Sequence, residues 1–246
     1  EACKDVDVIP EDRGTSINIL TRRVLPLVAI GFVDACTSVD PPGRSGGTGP
    51  DTVDAGRSGE PPTEPGVALV GRFDFADEVG PRVGWPGAAI IVRFDGTEAH
   101  AKMREEPANG GSSHFDVIVD GKVDPKPLAL KGGIDEYALA TGLTAGTHVI
   151  ELHRRTEGQV GTTQLLGFTF GSGKLLPPPQ RARRRIEFLG DSEANGYGIE
   201  GDGPTCTFSA ETQNERKAYP SLVGAELSAE HVTISFSGKG VLPKGE

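Results

Sequence analysis

Apolar residues recur at every second position through most of the stretch from Val67 to Phe170, the period of a strand with one buried face. "HFDVIVD" sets Phe115, Val117 and Val119 on one face, "THVIELHRRTE" sets His148, Ile150 and Leu152, and "TQLLGFTF" sets Gln164, Leu166, Phe168 and Phe170. Asp95-Gly96 separates "AAIIVRF" from "TEAHAKM", and Asp120-Gly121 ends "HFDVIVD". An Asp-Gly pair between extended runs predicts a hairpin. No helical period interrupts this stretch, so residues 66–178 are expected to form a β-sandwich.

After the stiff connector "LLPPP" (175–179) the period changes. "RRIEFLG" reads as a strand entering a turn, "NERKAYPSLVGAELSAE" carries Tyr219, Leu222, Val223 and Leu227 at helical spacing, and "HVTISFSG" reads as a second strand ending in Gly238. The crossover makes the two strands parallel. Ser192 and Gly238 then both lie just past carboxyl ends, the edge where open α/β sheets build their sites. Two parallel strands and one helix bury little apolar surface, so this unit is loosely held unless it docks on the sandwich. The fold class is therefore mixed: a sandwich over 66–178, then the start of an α/β domain over 179–246.

The first third of the chain reads as an address and a tether. In "TRRVLPLVAIGFVDACTS" two arginines precede an apolar run from Val24 to Val33, short for a membrane span and the right size for the core of a signal peptide. Val33-Asp34-Ala35-Cys36 resembles a lipoprotein cleavage box with Cys36 as the lipidated residue. Residues 1–36 are accordingly read as an upstream extension plus signal. Residues 37–65, rich in Gly, Pro, Ser, Thr and Asp, cannot bury enough apolar area to offset their ordering entropy and are expected to be a flexible spacer.

A formal charge of -10 supplies no positive field for phosphate backbones, which argues against nucleic acid and anionic membrane surfaces as partners, the lipid anchor aside. The basic cluster Arg181 with Arg183 to Arg185 reads as a solvated strand entrance. Cys3, Cys36 and Cys206 lie far apart, with the spacing of neither a zinc cage nor a disulfide framework. His100, His114, His148 and His153 lie on or beside predicted strands without ligand-like spacing, and Trp85 in "RVGWPG" is either packed or stacked on carbohydrate. No metal or organic cofactor is expected.

The ordered series "GRFDF", "PRVGWPG", "RFDGT", "ELHRRTE", "IEFLGDS", "GYGIEG", "CTFSAETQN" and "SGKGV" resembles family 2 of the carbohydrate esterases, acetyl xylan esterases with a jelly-roll domain ahead of a Gly-Asp-Ser (SGNH-type) hydrolase domain of three layers. The resemblance covers roughly Val67 to Val241. It implies that Ser192 is the nucleophile, forming an acetyl-enzyme that water releases. It also implies that the amides of Ser192 and Gly238 donate to the developing oxyanion. The serine is followed here by Glu193 and Ala194 where the family usually has Ile-Thr.

His231 is the one histidine after the connector, and it falls at the start of the strand whose far end carries Gly238. Seven strand residues place it roughly 20 Å from the active edge, so it cannot serve Ser192 as base. The resemblance implies a further oxyanion asparagine and a base in an Asp-x-x-His, neither of which falls within these 246 residues. Two functions follow: an exported, lipid-tethered carbohydrate O-acetyl esterase acting on acetylated polysaccharide, of which this chain lacks the catalytic His segment, or a non-catalytic glycan-binding surface lipoprotein.

Overall fold

Alternation builds the two larger sheets of the computed structural model, which describes residues 66–240. In chain order its strands are β1 (Val67–Val70), β2 (Arg82–Val83), β3 (Ala89–Gly96), β4 (Ala99–Pro107), β5 (His114–Val119), β6 (Lys122–Val123), β7 (Leu128–Ala129), β8 (Gly133–Ala140), β9 (Gly146–Arg154), β10 (Gly161–Thr169), β11 (Lys174–Leu176), β12 (Arg184–Gly190) and β13 (Ala229–Ser235). Helix α1 (Tyr219–Glu226) and two 3-10 turns, Ala210–Thr212 and Glu215–Lys217, lie between β12 and β13. One antiparallel sheet runs β1-β3-β9-β5-β6, with β11 also on β3 and β7 on β5; the other runs β2-β10-β4-β8. The leader, the tether and Cys36 lie outside the described residues.

The inner faces of these sheets share one core. Ile90, Val92 and Phe94 of β3, Phe115 and Val117 of β5, and Ile150 and Leu152 of β9 meet Ala99, Ala101 and Met103 of β4, Tyr137 and Leu139 of β8, and Leu165 of β10. Burying each large member contributes about 1.5–3 kcal/mol. Within this core Phe94 and Phe170 stack, with centroids 4.9 Å apart.

Two expectations about this half need correction. The Asp120-Gly121 turn is a hairpin: both residues have positive φ (50° and 78°), and β5 pairs with β6 through Val119 and Lys122. Asp95-Gly96 is not, because Gly96 continues β3 opposite Gly146 of β9 and the chain then crosses to the other sheet as β4. In β10 a bulge between Leu165 and Gly167 resets the register, so Leu165, Phe168 and Phe170 reach the core while Gln164 and Leu166 do not. Gln164 is nevertheless buried, donating to the Gly80 carbonyl (3.0 Å) and accepting from Arg104 (3.0 Å).

β12 and β13 pair in parallel, with Gly190 opposite Ser235. Helix α1 forms where its spacing predicts, but its buried positions are Pro220, Ser221 and Gly224, while Tyr219, Leu222, Val223 and Leu227 are exposed. With Leu189, Ile199 and Phe236 they are apolar side chains left open to solvent among the described residues. Cys206 is disulfide-bonded, which its isolation in the sequence did not indicate.

One pair within the sandwich links stability to pH. His148 Nδ1 lies 2.7 Å from Asp120 Oδ2 and its Nε2 lies 2.7 Å from the Thr144 carbonyl, which raises the histidine above 6.5; the same bond, with the Val149 amide, holds Asp120 below 3.8. The raised histidine stabilises fully below 6.5 and loses this as pH rises through its folded value. The lowered aspartate stabilises above 3.8 and loses this as pH falls through its own. The pair's contribution is expected to be flat between those values and to decline on either side, by a small amount because Asp120 is half exposed. Urea midpoints measured against pH should show this, and Asp120→Asn should flatten the profile.

Candidate active site

The last two residues of β9 and the three after it read His153-Arg154-Arg155-Thr156-Glu157, and all five are buried. Burying so many polar groups is tolerable only if each is bonded. Arg154 stays within the sandwich, donating to the carbonyls of Thr156 (2.8 Å) and Gly161 (2.6 Å) and to the Thr163 hydroxyl (3.0 Å). Thr156 Oγ1 accepts from the His114 amide at 3.2 Å. The other three reach the segment that follows β12, so that segment is docked on the sandwich.

Arg155 pairs with Asp116 (3.0 Å) and Glu200 and donates to the carbonyls of Gln213 (3.3 Å) and Glu211 (3.1 Å). His153 Nε2 meets Glu215 Oε2 at 2.9 Å. Glu215 also accepts from the hydroxyls of Ser221 and Thr233, both at 2.8 Å, and faces His231 Nε2 at 3.2 Å. Burial alone would lower the basicity of His153, but its bonds to Glu151 and Glu215 outweigh that and raise it. Burial likewise disfavours the Glu215 carboxylate, yet His153 and His231 hold it well below the usual range. Glu215 fits so close because position 87 is glycine: a Cβ there would stand 2.7 Å from the Glu215 carboxyl carbon.

Glu157 binds the two loops at the carboxyl ends of β12 and β13. It accepts from Asn195 Nδ2 (2.9 Å), from the Ser237 amide (2.8 Å) and from the Ser237 hydroxyl (2.5 Å). Ser235 Oγ bonds Asn195 Oδ1, closing the link between the loops. Ser192 lies three residues before Asn195 and Gly238 directly follows Ser237, so one sandwich carboxylate sets the position of both loops. Gly190 is required as glycine because a Cβ there would lie 2.6 Å from Ala194 Cβ. Gly238 has φ of 75°, a conformation that strains any other residue. Ser192 is half-buried, and neither its amide nor that of Gly238 makes a hydrogen bond among the described residues.

Beside these loops a cleft of about 470 Å³ is lined by Trp85, Leu189, Gly190, Asp191, Phe236 and Lys239, among others. Trp85 also lines a second cleft of about 530 Å³ on the sandwich, with Arg72, Phe73, Asp74 and Arg82. The sandwich tryptophan thus shares a cleft with the loops at the carboxyl ends of β12 and β13.

Each of the five histidines lies elsewhere than Ser192. His100 is near Glu98, His114 bonds the Ser112 carbonyl, His148 bonds Asp120, and His153 and His231 share Glu215. His231 was expected to be unable to serve Ser192, and its observed partners are Glu215 and Ser221. No spacing in the sequence signals the His153–Glu215–His231 cluster, whose members come from a strand end, a 3-10 turn and a second strand.

Residues 69–179 match the family model described as carbohydrate esterase 2 N-terminal. The chain is 38% identical over 177 residues to the cellulase/esterase CelE of Acetivibrio thermocellus, covering 72% of this chain and 21% of that one. It is 31% identical over 161 residues to the acetylxylan esterase/glucomannan deacetylase of Cellvibrio japonicus, covering 64% of this chain and 42% of that one. Among solved structures, a family two carbohydrate esterase from Clostridium thermocellum in complex with cellohexaose aligns with a TM-score of 0.67 at 38% identity, over 71% of this chain and 52% of that one. The chain thus spans between about a fifth and just over half of the length of these relatives. These matches are to carbohydrate esterases. Within that class, residues 69–179 match the N-terminal domain of family 2.

Proposed function

We propose that this chain is the sandwich and nucleophile-bearing part of an exported carbohydrate O-acetyl esterase, tethered through a lipid on Cys36. The observation that carries the reading is the placement of Ser192 and Gly238 at the carboxyl ends of two parallel strands, beside a cleft walled by Trp85. The sandwich is read as a jelly roll, and the parallel unit as the first part of a three-layer SGNH-type domain. In the reaction, Ser192 Oγ attacks the acetyl carbonyl carbon while a base takes its proton. The amides of Ser192 and Gly238 donate to the oxyanion, the sugar hydroxyl leaves with a proton, and water releases acetate from the acetyl-enzyme. We place the base outside these 246 residues, since none of the five histidines bonds Ser192. The names of the relatives support an acetylated xylan or glucomannan as the substrate class.

The test is acetate release from O-acetylated xylan and glucomannan by the protein supplied with its base-bearing segment. Release from these polymers, with none from long-chain acyl esters, supports the reading; no release from any acetylated glycan contradicts it.

Glycan binding without turnover is the second reading, favoured for the 246-residue chain by the absence of a Ser192–histidine bond and by the two clefts that meet at Trp85. Loss of a stacking indole costs about 1 kcal/mol, roughly fivefold in Kd. Trp85→Ala is therefore expected to reduce retardation in affinity gels containing acetylated xylan by about that factor. Unchanged mobility would place the sugar elsewhere.

A further inference from the structure

We propose that His153, Glu215 and His231 form a binding site for a divalent metal ion of the zinc class, at the joint between the sandwich and the parallel strand pair. One ligand atom from each residue lies within 4.8 Å of the others. His153 Nε2 stands 2.9 Å from Glu215 Oε2, and His231 Nε2 stands 3.4 Å from that oxygen and 3.2 Å from Oε1. Zinc bonds of about 2.0–2.1 Å in a tetrahedron set neighbouring ligand atoms roughly 3.3 Å apart, so both imidazole–carboxylate spacings are already close to those around one ion. Two imidazoles and one carboxylate are a donor set that zinc takes readily.

The surroundings match those of a built site. Ligating histidines commonly give their second ring nitrogen to a carboxylate, and Glu151 Oε1 lies 3.5 Å from His153 Nδ1. Thr233 Oγ1 fixes the Glu215 carboxylate by donating to Oε1 at 2.8 Å. Ser221 Oγ, 2.8 Å from Glu215 Oε2 and 3.0 Å from His231 Nε2, stands where a fourth ligand or its water is needed. A cleft of about 250 Å³ lined by Glu151, His153, Glu230 and His231 connects the cluster to solvent, and its two further carboxylates favour entry of a cation. The ion would tie together three elements separated by 62 and 16 residues, so its binding free energy would act directly on the joint. This function is structural and independent of the chemistry at Ser192.

The experiment titrates zinc chloride into the chelator-treated 246-residue chain by calorimetry, follows thermal unfolding with and without zinc, and records the visible spectrum after cobalt(II) substitution. The expected result is one ion per chain, a Tm raised by about 5 °C or more at saturating zinc, and tetrahedral cobalt bands. His231→Gln, at a partly exposed position, is expected to fold and to weaken binding at least 100-fold. His148→Gln, outside the cluster, should leave binding unchanged. No stoichiometric heat and no Tm shift in the wild-type chain would overturn the proposal, as would zinc binding or cobalt bands that persist in His231→Gln. If His231→Gln fails to fold, His153→Gln is read by the same criteria, and the wild-type titration decides alone if both fail.

Discussion

Ser192→Ala is expected to lower acetyl-ester turnover on the order of a million-fold in protein that includes the base-bearing segment, and to change little in the 246-residue chain alone. The serine hydroxyl is a poor nucleophile near neutral pH until a base takes its proton. Without that base the oxyanion donors account for only about 10³–10⁴ over water. Among the described residues the five imidazoles face Glu98, the Ser112 carbonyl, Asp120 and Glu215, and none bonds the Ser192 hydroxyl. Acetate release from acetylated xylan or an aryl acetate measures both effects. Robust, Ser192-dependent turnover by the 246-residue chain would show that one of these imidazoles reaches the serine. The substitution should leave the urea midpoint unchanged, because the Ser192 side chain makes no hydrogen bond among the described residues.

Arg155→Ala is expected to cost about 3–5 kcal/mol of stability, the penalty for stranding a buried charge. Its side chain is nearly buried and serves Asp116, Glu200 and the carbonyls of Glu211 and Gln213. Removal leaves the buried Asp116 with Arg216 alone and deprives two carbonyls of a donor. A typical domain is stable by only about 5–15 kcal/mol, so the fraction lost is large. Arg155→Lys should recover less than half, since an ammonium cannot address four acceptors spread around a planar guanidinium. Urea unfolding measures both. A loss below about 1 kcal/mol for Arg155→Ala would mean that residues 192–217 dock on the sandwich by other means.

Period-two patterning made the strands and most of their inward faces legible, because alternation along one strand is a local property. What lay between strands was less so. Asp95-Gly96 and Asp120-Gly121 look alike as dipeptides, yet only the second takes the positive φ angles that return the chain to the same sheet. The bulge at Leu165–Gly167 moved Gln164 and Leu166 off the core face, and nothing in "TQLLGFTF" marks it besides Gly167. The parallel pair was readable from its change of period, but the apolar residues of α1 proved to face solvent instead of the strands. The largest omission is "HRRTE". In the sequence it looks like the frayed polar end of a strand, and three of its five side chains hold the neighbouring segment through partners 38 to 80 residues away, a relation no local pattern records.

Mass spectrometry of peptides quenched during turnover of an acetylated substrate tests the central claim most directly. With Ser192 as nucleophile held between the Glu157-anchored loops, the acetyl group should accumulate on the peptide containing Ser192 and on no other, and should be absent from Ser192→Ala. Acetate release that proceeds at the wild-type rate in Ser192→Ala, with no acyl group on that peptide in the wild type, would contradict it.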